Sequence, residues 1–97
     1  MPKALSVTLR EGNGDSHKWT VVFKPLPPDK NGTVYGAVSF AKRVMYINSR
    51  LRNRETILET IRHECEHVAL GPGAAEWAME ACDENYYAIK RRVFNGG

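Results

Sequence analysis

Two of the chain's three histidines stand four residues apart in "TIRHECEHVALGPG", Thr60 to Gly73, and a glutamate directly follows the first. On a helix, positions i and i+4 lie one turn apart on the same face, so His63 and His67 can bring both imidazoles to a single ion. Imidazole ligates a divalent metal while neutral, which suits zinc. Glu64 is offset to the flank, where a carboxylate reaches metal-bound water without itself ligating. A carboxylate so placed is the base that hydrolysis needs. The third histidine, His17, lies in what reads as an early loop, remote in sequence from the pair.

The elements that must position these groups divide the chain in two. "ALSVTLR" (Ala4 to Arg10) alternates apolar and polar residues as a half-buried strand does. "EGNGDSH" reads as a turn, and the β-branched and aromatic "WTVVFK" (Trp19 to Lys24) as a second strand. "PLPPDKNG" is a loop that neither a helix nor a central strand would tolerate. "VYGAVSF" and "RVMYIN" are two further strands, joined by a tight hairpin through Ala41 and Lys42. From Asn53, a plausible N-cap, the period becomes helical, and Gly71 with Pro72 stops that helix. A second helix is expected from near Ala74 to about Arg92. The expected fold is α+β: a small antiparallel or mixed twisted sheet of about four strands, followed by two antiparallel helices. Residues 1–97 form one domain, with 1–49 strand-rich and 53–92 helical.

At about 100° per residue the first helix separates into faces. Ile57, Leu58, Ile61, Cys65, Val68 and Ala69 fall on the side that must meet the sheet. Thr56, Glu59, Thr60, His63 and His67 fall on the other. Cys65 is therefore core packing and a poor ligand, although it lies between the histidines. On the second helix Glu76, Glu80, Asp83 and Tyr87 line one side, and Ala78, Cys82, Tyr86, Ile89 and Val93 make the packing stripe.

Composition restricts the remaining classes. With 97 residues, 42% apolar and 26% charged, the chain has the make-up of an ordered globular domain. No apolar run approaches the roughly 20 residues that span a bilayer, and the N-terminus lacks the pattern of a secretory signal. Two cysteines are too few for a disulfide scaffold and fit a reducing, cytoplasmic setting. The net charge is +3, with basic clusters at "RLRNR" (Arg50 to Arg54) and "KRR" (Lys90 to Arg92). These clusters allow contact with DNA or another acidic partner, beside the ordinary reading of solvated helix ends.

"HECEH" is the HExxH signature of the zincin metalloproteases. The block "VYGAVSFAKRVMYINSRLRNRETILETIRHECEHVAL" resembles the core of short SprT-like zincins found in phages and prophages, and the likeness extends from Val34 to Val93. The resemblance implies one zinc per chain, hydrolysis of peptide bonds in a protein or peptide substrate, and a host-cytoplasm location if the chain is phage-encoded. It also implies a third ligand from the following helix. No histidine follows the motif, so the gluzincin pattern, with a glutamate ligand, is the relevant one.

Glu76 and Glu80 are the candidates for that ligand. Glu76 opens an E-x-x-x-E pair and stands at the helix start, as the ligand does in the phage-type relatives. The helical rise would instead bring Glu80 level with His67. Glu76 is favoured as the ligand, with Glu80 orienting a histidine. Tyr87, with Arg91 one turn further, is a candidate for stabilising the oxyanion. The expected function is a zinc metallopeptidase in which Glu64 is the general base. The alternative is a catalytically idle zinc-containing module that docks on protein or DNA.

Overall fold

In the computed structural model, which describes residues 3–70 and 78–94, four strands precede two helices. β1 (Ala4–Arg10) and β2 (Ser16–Lys24) form an antiparallel hairpin with Val7 opposite Trp19. Alternation places Leu5, Val7 and Leu9 inside and Ala4, Ser6 and Thr8 outside. β2 begins earlier than its apolar run suggests. The register set at Val7 and Trp19 carries pairing on to Arg10 and Ser16, so His17 lies in a strand opposite Leu9 and not in the loop. Gly14, at φ 95°, closes the intervening turn, and its N–H donates to the Glu11 carbonyl at 2.9 Å.

β3 (Gly36–Ser39) and β4 (Val44–Asn48) are a second antiparallel hairpin, and β4 pairs parallel with β2. The sheet order is β1-β2-β4-β3, a mixed sheet with β3 at one border and β1 at the other. The turn between β3 and β4 is longer than the expected Ala41–Lys42 pair. It runs from Phe40 to Arg43, because Ser39 pairs with Val44. Arg43 adopts φ 51°, a left-handed conformation that costs a non-glycine residue about 1 kcal/mol. Its guanidinium offsets that cost: Nε donates to Glu11 Oε2 at 2.6 Å, and Trp19 Nε1 donates to the same oxygen at 2.9 Å. One buried carboxylate thus ties together the turns of both hairpins.

Helices α1 (Arg54–Ala69) and α2 (Ala78–Phe94) complete the α+β fold. Asn53 caps α1, its Oδ1 accepting from the N–H groups of Glu55 and Thr56. Ile57, Ile61, Cys65, Val68 and Ala69 pack from α1 onto Trp19, Val21, Met45 and Ile47 of the sheet. Each large aliphatic so buried contributes about 1.5–3 kcal/mol. Thr60, expected on the outer face, is buried, and its hydroxyl donates back to the Thr56 carbonyl at 2.8 Å. On α2, the Asn85 amide exchanges two hydrogen bonds with the backbone of Arg10, at 2.8 and 3.0 Å, completing the end of β1. Among the described residues no helix is long and apolar enough to cross a membrane.

Candidate metal centre

The metal motif occupies the C-terminal half of α1, and its neighbours are brought by the border strand β3 and the loop before it. His63 and His67 are both exposed, and their Nε2 atoms stand 3.1 Å apart with the rings perpendicular. Two nitrogens bound to one tetrahedral zinc at about 2.0–2.1 Å would lie roughly 3.3 Å apart. The separation is close to that of two ligands on one ion, and it is also a hydrogen-bond distance between the two rings. His63, Glu64 and His67 each offer a donor atom, all within 4.8 Å of one another, so this group can hold a metal ion.

Glu64 differs from the expectation of an open flank position. It is only 4% exposed, and its side chain has no hydrogen-bond partner among the described residues. Burial pushes its carboxyl above the ordinary value of 4.5, and the neighbouring imidazoles of His67 and His63 pull against that rise. A carboxylate largely buried beside two imidazoles, yet open to the groove, is placed to accept a proton.

Gly36 accounts for this burial. A Cβ there would lie 2.9 Å from the Tyr46 carbonyl oxygen, 3.1 Å from Glu64 Cγ and 3.1 Å from Thr60 Cγ2. Without a side chain at Gly36, β3 closes down on α1 and covers both Glu64 and Thr60. The isolated glycine inside "VYGAVSF" carried this signal, since a glycine within a strand marks a close approach. The wheel of α1 alone contained no trace of it.

The loop ahead of β3 is anchored by Asn48, which is buried at the end of β4. Its Nδ2 donates to the Val34 carbonyl at 2.8 Å, and its Oδ1 accepts from the Arg50 N–H at 3.0 Å. The Asn48 backbone N–H donates to Tyr35 at 2.9 Å. The result is a groove in two compartments of about 480 and 460 Å³, both lined by Tyr35, His63 and Glu64. Tyr35, half-exposed at this junction, was not singled out from the sequence because nothing in its local pattern relates it to a helix that begins 19 residues later.

The other expected residues fall as follows. Cys65 is fully buried, and burial pushes its thiol upward, so it is a neutral core side chain. Tyr87 is exposed on α2, with its ring against Tyr86 and the Lys90 ammonium 5.9 Å away. It is not among the described residues that line the groove. Asp83 pairs with Arg62 at 2.7 Å. Glu76 lies outside the described residues, as does the side chain of Glu80, whose backbone belongs to α2. Of the two basic clusters, Arg54 at the start of α1 has its guanidinium 4.6 Å from the Phe94 ring at the end of α2, while Arg92 donates to the Ser6 carbonyl.

Comparison with protein-family models, characterised proteins and solved structures returns no match. The functional argument therefore rests on geometry and chemistry.

Proposed function

We propose that this chain is a minimal zinc metallopeptidase whose metal is held by His63 and His67, with Glu76 as the third protein ligand. Glu80 is the other candidate for that third position. The observation that carries the reading is the close Nε2 pair, 3.1 Å apart, beside a buried Glu64 that has no hydrogen-bond partner among the described residues and opens on a groove. Neutral imidazoles with one carboxylate form a donor set that fits zinc and leaves a position for solvent. When bound, zinc supplies Lewis acidity towards a water molecule and the scissile carbonyl. Glu64 takes a proton from that water and passes it to the departing amine. Its burial serves this role by holding the carboxylate in one place at the groove floor.

β3 supports a peptide substrate. It borders the sheet, lines the groove and pairs on its inner side with β4, so an extended peptide can add along its outer side. Gly36 puts this border directly against Glu64. The test is metal analysis and peptide cleavage with wild type, Glu64→Gln and Glu76→Ala. The expected result is one zinc per chain in wild type and Glu64→Gln, cleavage by wild type alone, and weakened zinc retention in Glu76→Ala. Wild type that binds no zinc after supplementation overturns the reading.

A second reading, a module that binds DNA or another acidic partner, rests on a different place. Lys18, Arg91 and Arg92 line a groove of about 470 Å³ with Ser6 and Thr8 at the opposite border of the sheet. Salt-dependent retention on DNA that is lost in Lys18→Glu/Arg91→Glu would support it. Retention unchanged in that variant would remove it.

A further inference from the structure

The groove's two ends differ in chemistry. One compartment continues from the metal position past Tyr35 to Thr56, Glu59 and Thr60 near the start of α1. The other continues past His67 to the apolar Val38 and Phe40, with Asp29, Asn31 and Thr33 also on its wall. No lysine or arginine is among the described residues lining either one, although the chain carries 14 basic residues against 11 acidic.

Glu59 lies one turn before His63, is exposed, and has neither a hydrogen bond nor an ion pair among the described residues. The cation nearest to it along α1 is Arg62, whose guanidinium pairs with Asp83 at 2.7 Å and lies 4.9 Å from the Tyr86 ring. Glu55, one turn earlier, adds a second negative charge on the same flank. At the other end, Asp29 is partly engaged, accepting from the Asn31 N–H at 2.7 Å. Glu59 is thus an exposed carboxylate without an ion-pair partner among the described residues; it lines this compartment one turn from His63 and, on its other side, a hollow that also holds Arg62.

We infer that the groove selects an extended peptide with a lysine or arginine side chain beside Glu59 and an apolar side chain over Val38 and Phe40. This deepens the peptidase reading and rests on it for the identity of the groove. The chain's net charge of +3 disfavours a cationic ligand at long range, so a preference for one has to arise locally. A single ion pair in a half-open groove contributes a factor of about five.

The test uses zinc-loaded Glu64→Gln, which should hold a peptide without cutting it, and fluorescent peptides differing only in one residue flanking the central bond. Lysine and arginine peptides are expected to bind about fivefold more tightly than their alanine counterparts, and glutamate peptides more weakly still. Adding Glu59→Lys should invert this order with zinc content unchanged. Adding Glu84→Lys, the same change of charge on a distant part of α2, should leave the order intact. Equal binding of all peptides overturns the inference, as does an order that survives Glu59→Lys or is equally inverted by Glu84→Lys. The outcome for wild type separates the two claims. The expected order without wild-type cleavage removes the peptidase reading and keeps the selectivity, whereas cleavage indifferent to charge does the reverse.

Discussion

Gly36 and Glu64 are in contact across the border of the sheet: a Cβ on residue 36 would stand 3.1 Å from Glu64 Cγ and 2.9 Å from the Tyr46 carbonyl oxygen. The carbonyl is backbone within β4 and cannot retreat, so an added methyl displaces the strand or the glutamate. Gly36→Ala is expected to cost about 1–3 kcal/mol. Zinc binding should survive, because the atoms nearest that Cβ belong to Tyr46, Glu64 and Thr60 and not to a histidine, while peptide cleavage falls at least tenfold as Glu64 shifts. Thermal denaturation, metal content and turnover measured together check this. Full activity in Gly36→Ala would show that the contact does not position Glu64.

Glu64→Gln is expected to stabilise the metal-free protein. The folded carboxyl lies above its ordinary value because it is buried, so at neutral pH its ionised form destabilises the fold. That penalty fades as pH falls through the raised value and is absent below the unfolded one. A neutral isostere removes it and raises the midpoint of the metal-free protein at pH 7. Melting curves in chelator at pH 7 and pH 4 should show the advantage of Gln at the first and its shrinkage at the second.

Asn48→Ala removes the acceptor for the Arg50 N–H and the donor to the Val34 carbonyl. The expected loss is about 2–4 kcal/mol, since buried backbone groups are left unpaired. Amide exchange should accelerate first across the segment before β3, and peptide affinity should fall more than zinc affinity. Equal losses of both would mean that the amide supports α1 as much as the groove wall.

Glu11→Gln tests the link between the two hairpins. Burial alone would raise the Glu11 carboxyl, but hydrogen bonds from Arg43 and Trp19, with the Arg43 charge, bring it below its ordinary 4.5. A depressed carboxyl contributes stability that is complete above the unfolded value and lost as pH falls through the folded one. Wild type should therefore exceed Glu11→Gln by about 1–2 kcal/mol at pH 7. Denaturant titrations should find the gap narrowing below pH 4.5 and closing as pH falls through the lowered folded value. A gap independent of pH would assign the effect to shape and not to charge.

Much of this architecture was legible because its signals are local. The alternation in "ALSVTLR" marks β1 from end to end, and Asn53 caps α1 where its side chain suggests. The paired histidines and the core position of Cys65 follow from helical period alone. What escaped depends on contacts distant in sequence. Thr60 and Glu64 are buried by β3, and His17 is strand because β1 extends its pairing. Arg43 is left-handed because a carboxylate 32 positions earlier receives it. The groove wall at Tyr35 belongs to this second kind, which no pattern within a single element contains.

The two borders of the sheet are not equivalent. Along β1, Arg92 Nη1 donates to the Ser6 carbonyl at 3.0 Å and Asn85 pairs with the backbone of Arg10, so side chains of α2 occupy that rim. β3 has only four residues, and it carries the groove. A sheet border left open, as the proposed docking of a peptide on β3 requires, also invites copies of the chain to pair there. Shortness is a safeguard: four residues form too brief a ladder to hold a second molecule edge to edge. A guest gripped additionally by side-chain pockets and a metal ion has no such limit.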